Sequence, residues 1–373
     1  MDTFCRQSAK IIMAACAAIL LSGTVTRANL VITPTFDSTI TSDPNAATIE
    51  STIQQAIAVY ESSFSDNVTV FITFTEMGTG LGQSSSSFNT ISYQLYRSHL
   101  VSDATTMYDA TALTQLPNTT ANPVNGSTTM DLNLPNARAI GLTGVTPDGL
   151  GGFVSWDSSA GSPDGQIFLN TSIMNLSRAI TNSGKWDLLG VTEHEINEVL
   201  GLGSALDGLN NGDPTPTGPV GTLDFYRYDQ NGNRSFNTVS NAQSYFSIDG
   251  KTLLVQFNQY SGGDFHDWFS WPFGAAHPRV QDAFSLNGKT PDMNVELIAL
   301  DVIGYHLLIP KMTITRTATN QETITWSPSV PGFLLTENTN LLTTNWLNSV
   351  SGTNNPAIVT NKTAIKFYRL NHP

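Results

Sequence analysis

Glu193-His194-Glu195-Ile196-Asn197-Glu198-Val199-Leu200-Gly201-Leu202-Gly203-Ser204 is the stretch on which the reading of this chain turns. Leu188, Leu189, Val191, Ile196, Val199 and Leu200 have the spacing of a buried helical face, and a helix is predicted from Trp186 to Leu202. Gly201 and Gly203 let the chain end that helix and turn sharply. His194 and Glu198 are four residues apart, so they share one helical face about one turn from each other. An imidazole nitrogen and a carboxylate oxygen so placed can bind one zinc ion, each at roughly 2.0–2.2 Å. Glu195 follows His194 directly and points beside such a metal, where it can take a proton from water. A hydrogen-bonded His194–Glu198 pair without metal ranks last, because a carboxylate buried beside another glutamate is costly without a cation.

Working outward, Pro44 to Asp66 reads as a helix, with Ile49, Ile53, Ile57, Tyr60 and Phe64 in register and Asp43 before it as a cap. Val68 to Phe74 is β-branched and aromatic, hence a strand. The Gly/Ser/Thr-rich region that follows shows little periodicity beyond a short helix at Tyr93 to Val101. Ala137 to Leu142 and Gly165 to Asn170 are the next strand candidates, and Ile173 to Ile180 a helical turn or two. After the decisive helix, 203–221 is loop, Tyr245 to Ile248 and Leu253 to Phe257 are short strands, and Val295 to Ile303 is an apolar helix closed by Gly304. At Leu308-Ile309-Pro310 the text changes to alternating runs separated by polar turns, which predicts a small all-β sandwich over 311–373.

The N-terminus reads as an export signal over 1–28. Arg6 and Lys10 precede an apolar run, Ile11 to Leu21, too short to span a bilayer, and Ala28 ends a step a signal peptidase can accept. Cys16 lies inside the run rather than at its end, which argues against lipid attachment. Both cysteines fall in this leader, so the mature chain is expected to be extracellular and free of disulfides. The whole chain carries 17 basic and 30 acidic groups, and removing Arg6, Lys10, Arg27 and Asp2 leaves 14 and 29, a net charge of −15. That balance argues against nucleic acid and anionic membrane as partners and fits cations or solubility outside the cell. No later segment is apolar enough to span a membrane.

The helix resembles the HExxHxxG helix of metzincin zinc peptidases, with Glu198 where the second histidine normally stands and Ser204 where many metzincins place a third ligand. The end of the domain, VELIALDVIGY, resembles that of leishmanolysin-like enzymes. More closely, Phe36 to Tyr305 is similar to secreted bacterial metalloproteases sharing the HEI-x-EVLG helix, LDFYRY (Leu223 to Tyr228), YFSIDG (Tyr245 to Gly250) and GGDF-x-DW. The resemblance implies an α+β zincin (metzincin-like) domain over 29–308, with a mixed sheet and an active-site helix. It implies Zn2+ as cofactor, held by His194, Glu198 and a distant histidine for which His266 is favoured; His277 and Asp207 are the alternatives, and a surface role for His266 is as well supported. It also implies that GQIFLN is a cleft-lining edge strand whose Ile167 and Leu169 meet the substrate. Compared with a second histidine, Glu198 lowers the net charge at the metal and makes its water less acidic.

Weaker signals lie nearby. Arg227 and Tyr228 can hold a substrate carboxylate or an oxyanion, although an Asp224–Arg227 ion pair that stabilises the loop is favoured, since ion pairs are common and oxyanion donors few. Asp229 to Asn233 has calcium-type oxygens but the wrong glycine position, and reads as a polar turn. The leading expectation is a secreted zinc endopeptidase with Glu195 as base, acting on a protein or peptide substrate, with no oligomeric state implied. The alternative is an inactive zincin-fold extracellular binding or adhesion protein, motivated by Glu198 and the appended β-module; Glu195 favours the enzyme, since a binding module has no need of it.

Overall fold

Alternation and helical periodicity build a layered α+β core. The computed structural model describes residues 29–147, 152–179, 182–270, 278–327, 330, 333–343, 345–360 and 365–371. The leader expected at 1–28, as well as His277 and His372, lie outside these residues. The chain begins with β1 (Val31–Phe36), α1 (Ser38–Thr41), α2 (Ala46–Ser63) and β2 (Thr69–Glu76). Ile49, Ile53, Ala56, Ile57 and Tyr60 form the buried face of α2, while Val70, Ile72 and Phe74 point inward from β2. Then come β3 (Gly82–Ser86), β4 (Phe88–Ser92), α3 (Tyr93–Asp103), α4 (Met107–Leu113), β5 (Thr129–Asn133) and α5 (Leu134–Ala139). Two short strands, β6 (Val145–Pro147) and β7 (Phe153–Ser155), precede β8 (Gly165–Leu169), β9 (Met174–Asn175), β10 (Trp186–Asp187) and α6 (Leu188–Leu200). The two-residue strands β11 (Arg227–Tyr228), β12 (Tyr245–Phe246) and β13 (Val255–Gln256) lead to α7 (Val295–Ile303).

The main sheet has the order β1-β2-β8-β3. β1, β2 and β8 run parallel, and β3 closes one edge antiparallel to β8, so the sheet is mixed. α6 packs on this sheet where two glycines remove side chains. A Cβ at Gly165 would lie 2.6 Å from a Val199 methyl, and one at Gly82 would lie 2.3 Å from Glu195 Oε1. Asp187 caps α6 by accepting from Gly190 N at 3.1 Å, and its carboxylate is held by Arg178 at 2.6 Å. At the far end Gly201 adopts φ +125°, and Leu202 N reaches back to Asn197 O.

The remaining strands, β14 (Lys311–Ala318), β15 (Gln321–Ser327), β16 (Leu334–Asn338), β17 (Leu347–Asn348), β18 (Ala357–Thr360) and β19 (Phe367–Asn371), make two three-stranded antiparallel sheets. Ile324, Trp326, Leu335, Ala357 and Val359 form a small hydrophobic cluster there, distinct from the main core.

Several expectations are corrected. Ala137 to Leu142 is not a strand: Pro135 in the first turn favours helical backbone, and α5 runs from Leu134 to Ala139. Thr171–Ile173 forms a 3-10 turn and the chain then enters β9, so no α-helix begins at Ile173. GQIFLN is not the sheet edge, because β3 lies outside it. Ile167 and Leu169 are accordingly 0% exposed and belong to the core rather than to a substrate surface. Among the described residues, no helix is long and apolar enough to cross a membrane.

Candidate metal centre

The helical spacing of α6 turns His194 and Glu198 toward one point. His194 Nε2 lies 3.2 Å from Glu198 Oε1 and 3.5 Å from Asp267 Oδ1. His266 reaches the same two carboxylates from the loop after β13, its Nε2 being 3.0 Å from Glu198 Oε1 and 3.3 Å from Asp267 Oδ1. His194, Glu198 and Asp267 present one ligand atom each within 4.8 Å of one another, a group that can hold a metal ion.

The outer nitrogen of each ring is fixed by an acceptor. His194 Nδ1 donates to Val280 O at 2.9 Å, and His266 Nδ1 to Asp207 Oδ2 at 2.7 Å. Each ring is thereby oriented with Nε2 toward the centre, the arrangement that metal-binding histidines use. Asp207, considered above as a ligand, is instead this outer partner, and it also accepts from Phe265 N, His266 N and Ser204 N. Ser84 of β3 donates to Glu198 Oε2 at 2.5 Å. Gln281 donates to Asp267 Oδ1 at 2.9 Å, and its own Oε1 accepts from Asn197, which is held by Tyr60. Glu296 of α7 is buried and accepts from Trp268 Nε1 and Gln281 N, fixing the residues beside Asp267 and Val280.

The electrostatics fit a cation. Burial alone would lower both histidine pKa values. At His194 the Asp267 and Glu198 carboxylates overcome that effect, and at His266 Asp207 and Asp267 do so, so both rings are held well above the ordinary value. Burial would raise the Glu198 pKa, but its hydrogen bonds to both imidazoles hold it far below the usual range. Burial and the neighbouring Glu198 push Glu195 well up, and its Oε2 is buried with no hydrogen-bond partner. Two imidazole nitrogens facing clustered carboxylates, beside an orphaned carboxylate oxygen, form a donor set that a divalent cation suits.

A cleft of about 460 Å³ opens on His194, Glu195, Glu198 and Asp267, with Leu81 to Ser84 along one wall. Ser84 and Glu198 are shared with a second hollow that contains His266, Ser86 and Phe88, so the β3 edge runs past the centre on both sides. Arg227 and Tyr228 are not in it. Arg227 is 0% exposed, lies over the Phe257 ring and donates to Phe265 O at 2.5 Å; it therefore positions the backbone next to His266. The expected Asp224–Arg227 ion pair does not form among the described residues, since Asp224 is taken by Ser204, Ala205 and Gly221. Tyr228 is buried beneath Arg234. Asp229 accepts from Asn231 and Asn233 within its own turn. Sequence reasoning missed Asp267, although it adjoins His266, and missed Gln281 and Ser84, which carry no motif. No family model, no curated protein and no solved structure matches this chain.

Proposed function

We propose that this protein is a zinc-dependent hydrolase of peptide bonds, built on a zincin-type fold and working outside the cell. The observation that carries the reading is the convergence of His194, Glu198, His266 and Asp267 with the unpartnered carboxylate oxygen of Glu195 beside them. His194, Glu198 and His266 would hold the ion, and Asp267 adds a second carboxylate against both imidazoles. Zinc bound there supplies Lewis acidity, polarising a carbonyl and making water a stronger acid near neutral pH.

Glu195 is the general base: its buried carboxylate accepts the proton of the attacking water and then delivers it to the leaving amine. The outer edge of β3 offers backbone donors and acceptors to an extended peptide, which would add to the sheet antiparallel to β3 or parallel to it. That edge passes the centre on both sides, which favours cleavage within a chain over trimming of an end.

The test measures metal content of the purified protein, of His194→Ala and of Glu195→Gln, with casein hydrolysis on the same samples. About one zinc per chain, lost in His194→Ala, retained in Glu195→Gln and accompanied by chelator-sensitive hydrolysis only in the unaltered protein, supports the reading. Zinc without hydrolysis would leave a binding protein. No metal under zinc-replete conditions would leave an ion-pair cluster.

A further inference from the structure

The cleft carries more carboxyl groups than the metal centre uses. Its wall contains Glu195, Glu198, Asp264, Asp267 and Asp282 but, among the described residues, no Lys or Arg. Glu198 and Asp267 face the imidazoles and Glu195 has its own role, which leaves Asp264 and Asp282. Asp282 is only 4% exposed; its Oδ2 accepts from Arg279 N at 3.0 Å, whereas Oδ1 is buried and has no hydrogen-bond partner. Asp264 is exposed and tied down through its backbone carbonyl, which accepts from Asn258. Its carboxylate makes no hydrogen bond or ion pair among the described residues. Arg279 and Lys289 line the adjoining hollow rather than this wall. A second metal ion is not what the pair is built for: among the described residues, neither Asp264 nor Asp282 belongs to a group of three donors within 4.8 Å of one another.

An organic cation answers this arrangement. A guanidinium or ammonium can satisfy an unpartnered carboxylate oxygen with a charge-assisted hydrogen bond, and at the buried Asp282 the attraction is stronger than it is in open water. We propose that Asp264 and Asp282 form a subsite for a basic side chain, so that the substrate is a peptide or protein segment carrying Arg or Lys near the bond at the metal centre. The subsite rests on the peptidase reading for its purpose, but its charge preference can be measured without turnover.

The probes are short alanine-based peptides, blocked at both ends, with arginine at each inner position in turn, and twins in which citrulline replaces it. Citrulline keeps the shape and loses the charge. Binding is read by fluorescence anisotropy on the metal-loaded Glu195→Gln protein, and turnover on the unaltered protein. We expect at least one arginine peptide to bind about tenfold more tightly than its twin. That preference should shrink several-fold in Asp264→Asn and in Asp282→Asn, and should fall with added salt. Asp264 is exposed, so its variant keeps the test valid even where Asp282→Asn disturbs folding. Equal binding of the twins at every position, or a preference that Asp264→Asn and a folded Asp282→Asn leave intact, overturns the subsite. Turnover indifferent to charge overturns it while hydrolysis stands, whereas charge-selective binding without turnover sustains it and removes the peptidase reading.

Discussion

His266 and Asp267 are consecutive, yet both side chains reach Glu198 or His194 within 3.5 Å. Backbone anchoring makes that possible: Asp207 accepts from Phe265 N and His266 N, Arg227 donates to Phe265 O, and Trp268 is pinned by Glu296. Zinc prefers nitrogen donors with an outer carboxylate partner, and His266 has one in Asp207. His266→Ala should therefore empty the site, while Asp267→Asn keeps about one metal per chain with reduced hydrolysis. The reverse pattern in metal analysis would make Asp267 the ligand and His266 its neighbour. Asp207→Ala should weaken metal affinity by about 10- to 100-fold, read by competition with a chromogenic chelator, because the ring loses its orienting partner. The candidate ligands on α6, His194 and Glu198, were legible because a helix fixes their spacing. Asp267, Gln281 and Ser84 were not, since loop and sheet bring them in from elsewhere in the chain.

The edge strand β3 shows why polar sequence can conceal a functional element. Its residues, GQSSS, look like a loop, yet Gly82, Ser84 and Ser86 alternate onto one face and all meet α6. That face touches Glu195, Glu198 and the end of the helix backbone, so hydroxyls and a missing side chain are required where a core strand would have valine. A Cβ at Gly82 would lie 2.3 Å from Glu195 Oε1 and 2.7 Å from Val191 Cγ1, so strand or helix must move. Gly82→Ala should cost about 1–3 kcal/mol in a denaturant midpoint measurement. Hydrolysis should drop about 100-fold, because the base is displaced from its bond. Gly78→Ala, whose Cβ would meet nothing within 4 Å, is the matched control. Equal activity in the two variants would mean that Glu195 does not act from this position. The apolar elements were easier to read: α7 runs from Val295 to Ile303 as its pattern predicts. α5 was missed because ARAIGL is short enough to satisfy either period, while Pro135, which favours the helical first turn, lies just before it.

At the scale of the whole molecule, the main core gathers residues from Leu30 to Phe333, and a few side chains close a separate cluster in the C-terminal sheets. Near the end of the main core, His306 joins distant parts of the chain. Its backbone N donates to Asp66 and its carbonyl accepts from Ser65 just beyond α2, while its Nε2 faces the Asp103 carbonyl and carboxylate at the end of α3. Nδ1 faces Asp66 Oδ1 at 3.6 Å, so both ring nitrogens look onto acceptors and the imidazolium is favoured. The Asp103 hydrogen bond leads the effect, against partial burial and with help from Asp66, and pushes the pKa from 6.5 up to about 9. A raised folded-state value means that the folded protein holds this proton more tightly than the unfolded chain. The stabilisation is complete below about 6.5 and is lost as pH rises through about 9. Burial raises the Asp66 pKa to about 6, so in the unaltered protein that group is largely ionised before the imidazolium begins to titrate. Partial exposure screens the interaction, and a gain of about 1 kcal/mol is the appropriate scale. The unfolding free energy of the unaltered protein, read from urea denaturation, should therefore exceed that of His306→Gln by about that amount near neutral pH, and the gap should close above the folded pKa. A gap that persists undiminished at high pH would show that His306 acts through its backbone and ring packing, with no contribution from its charge.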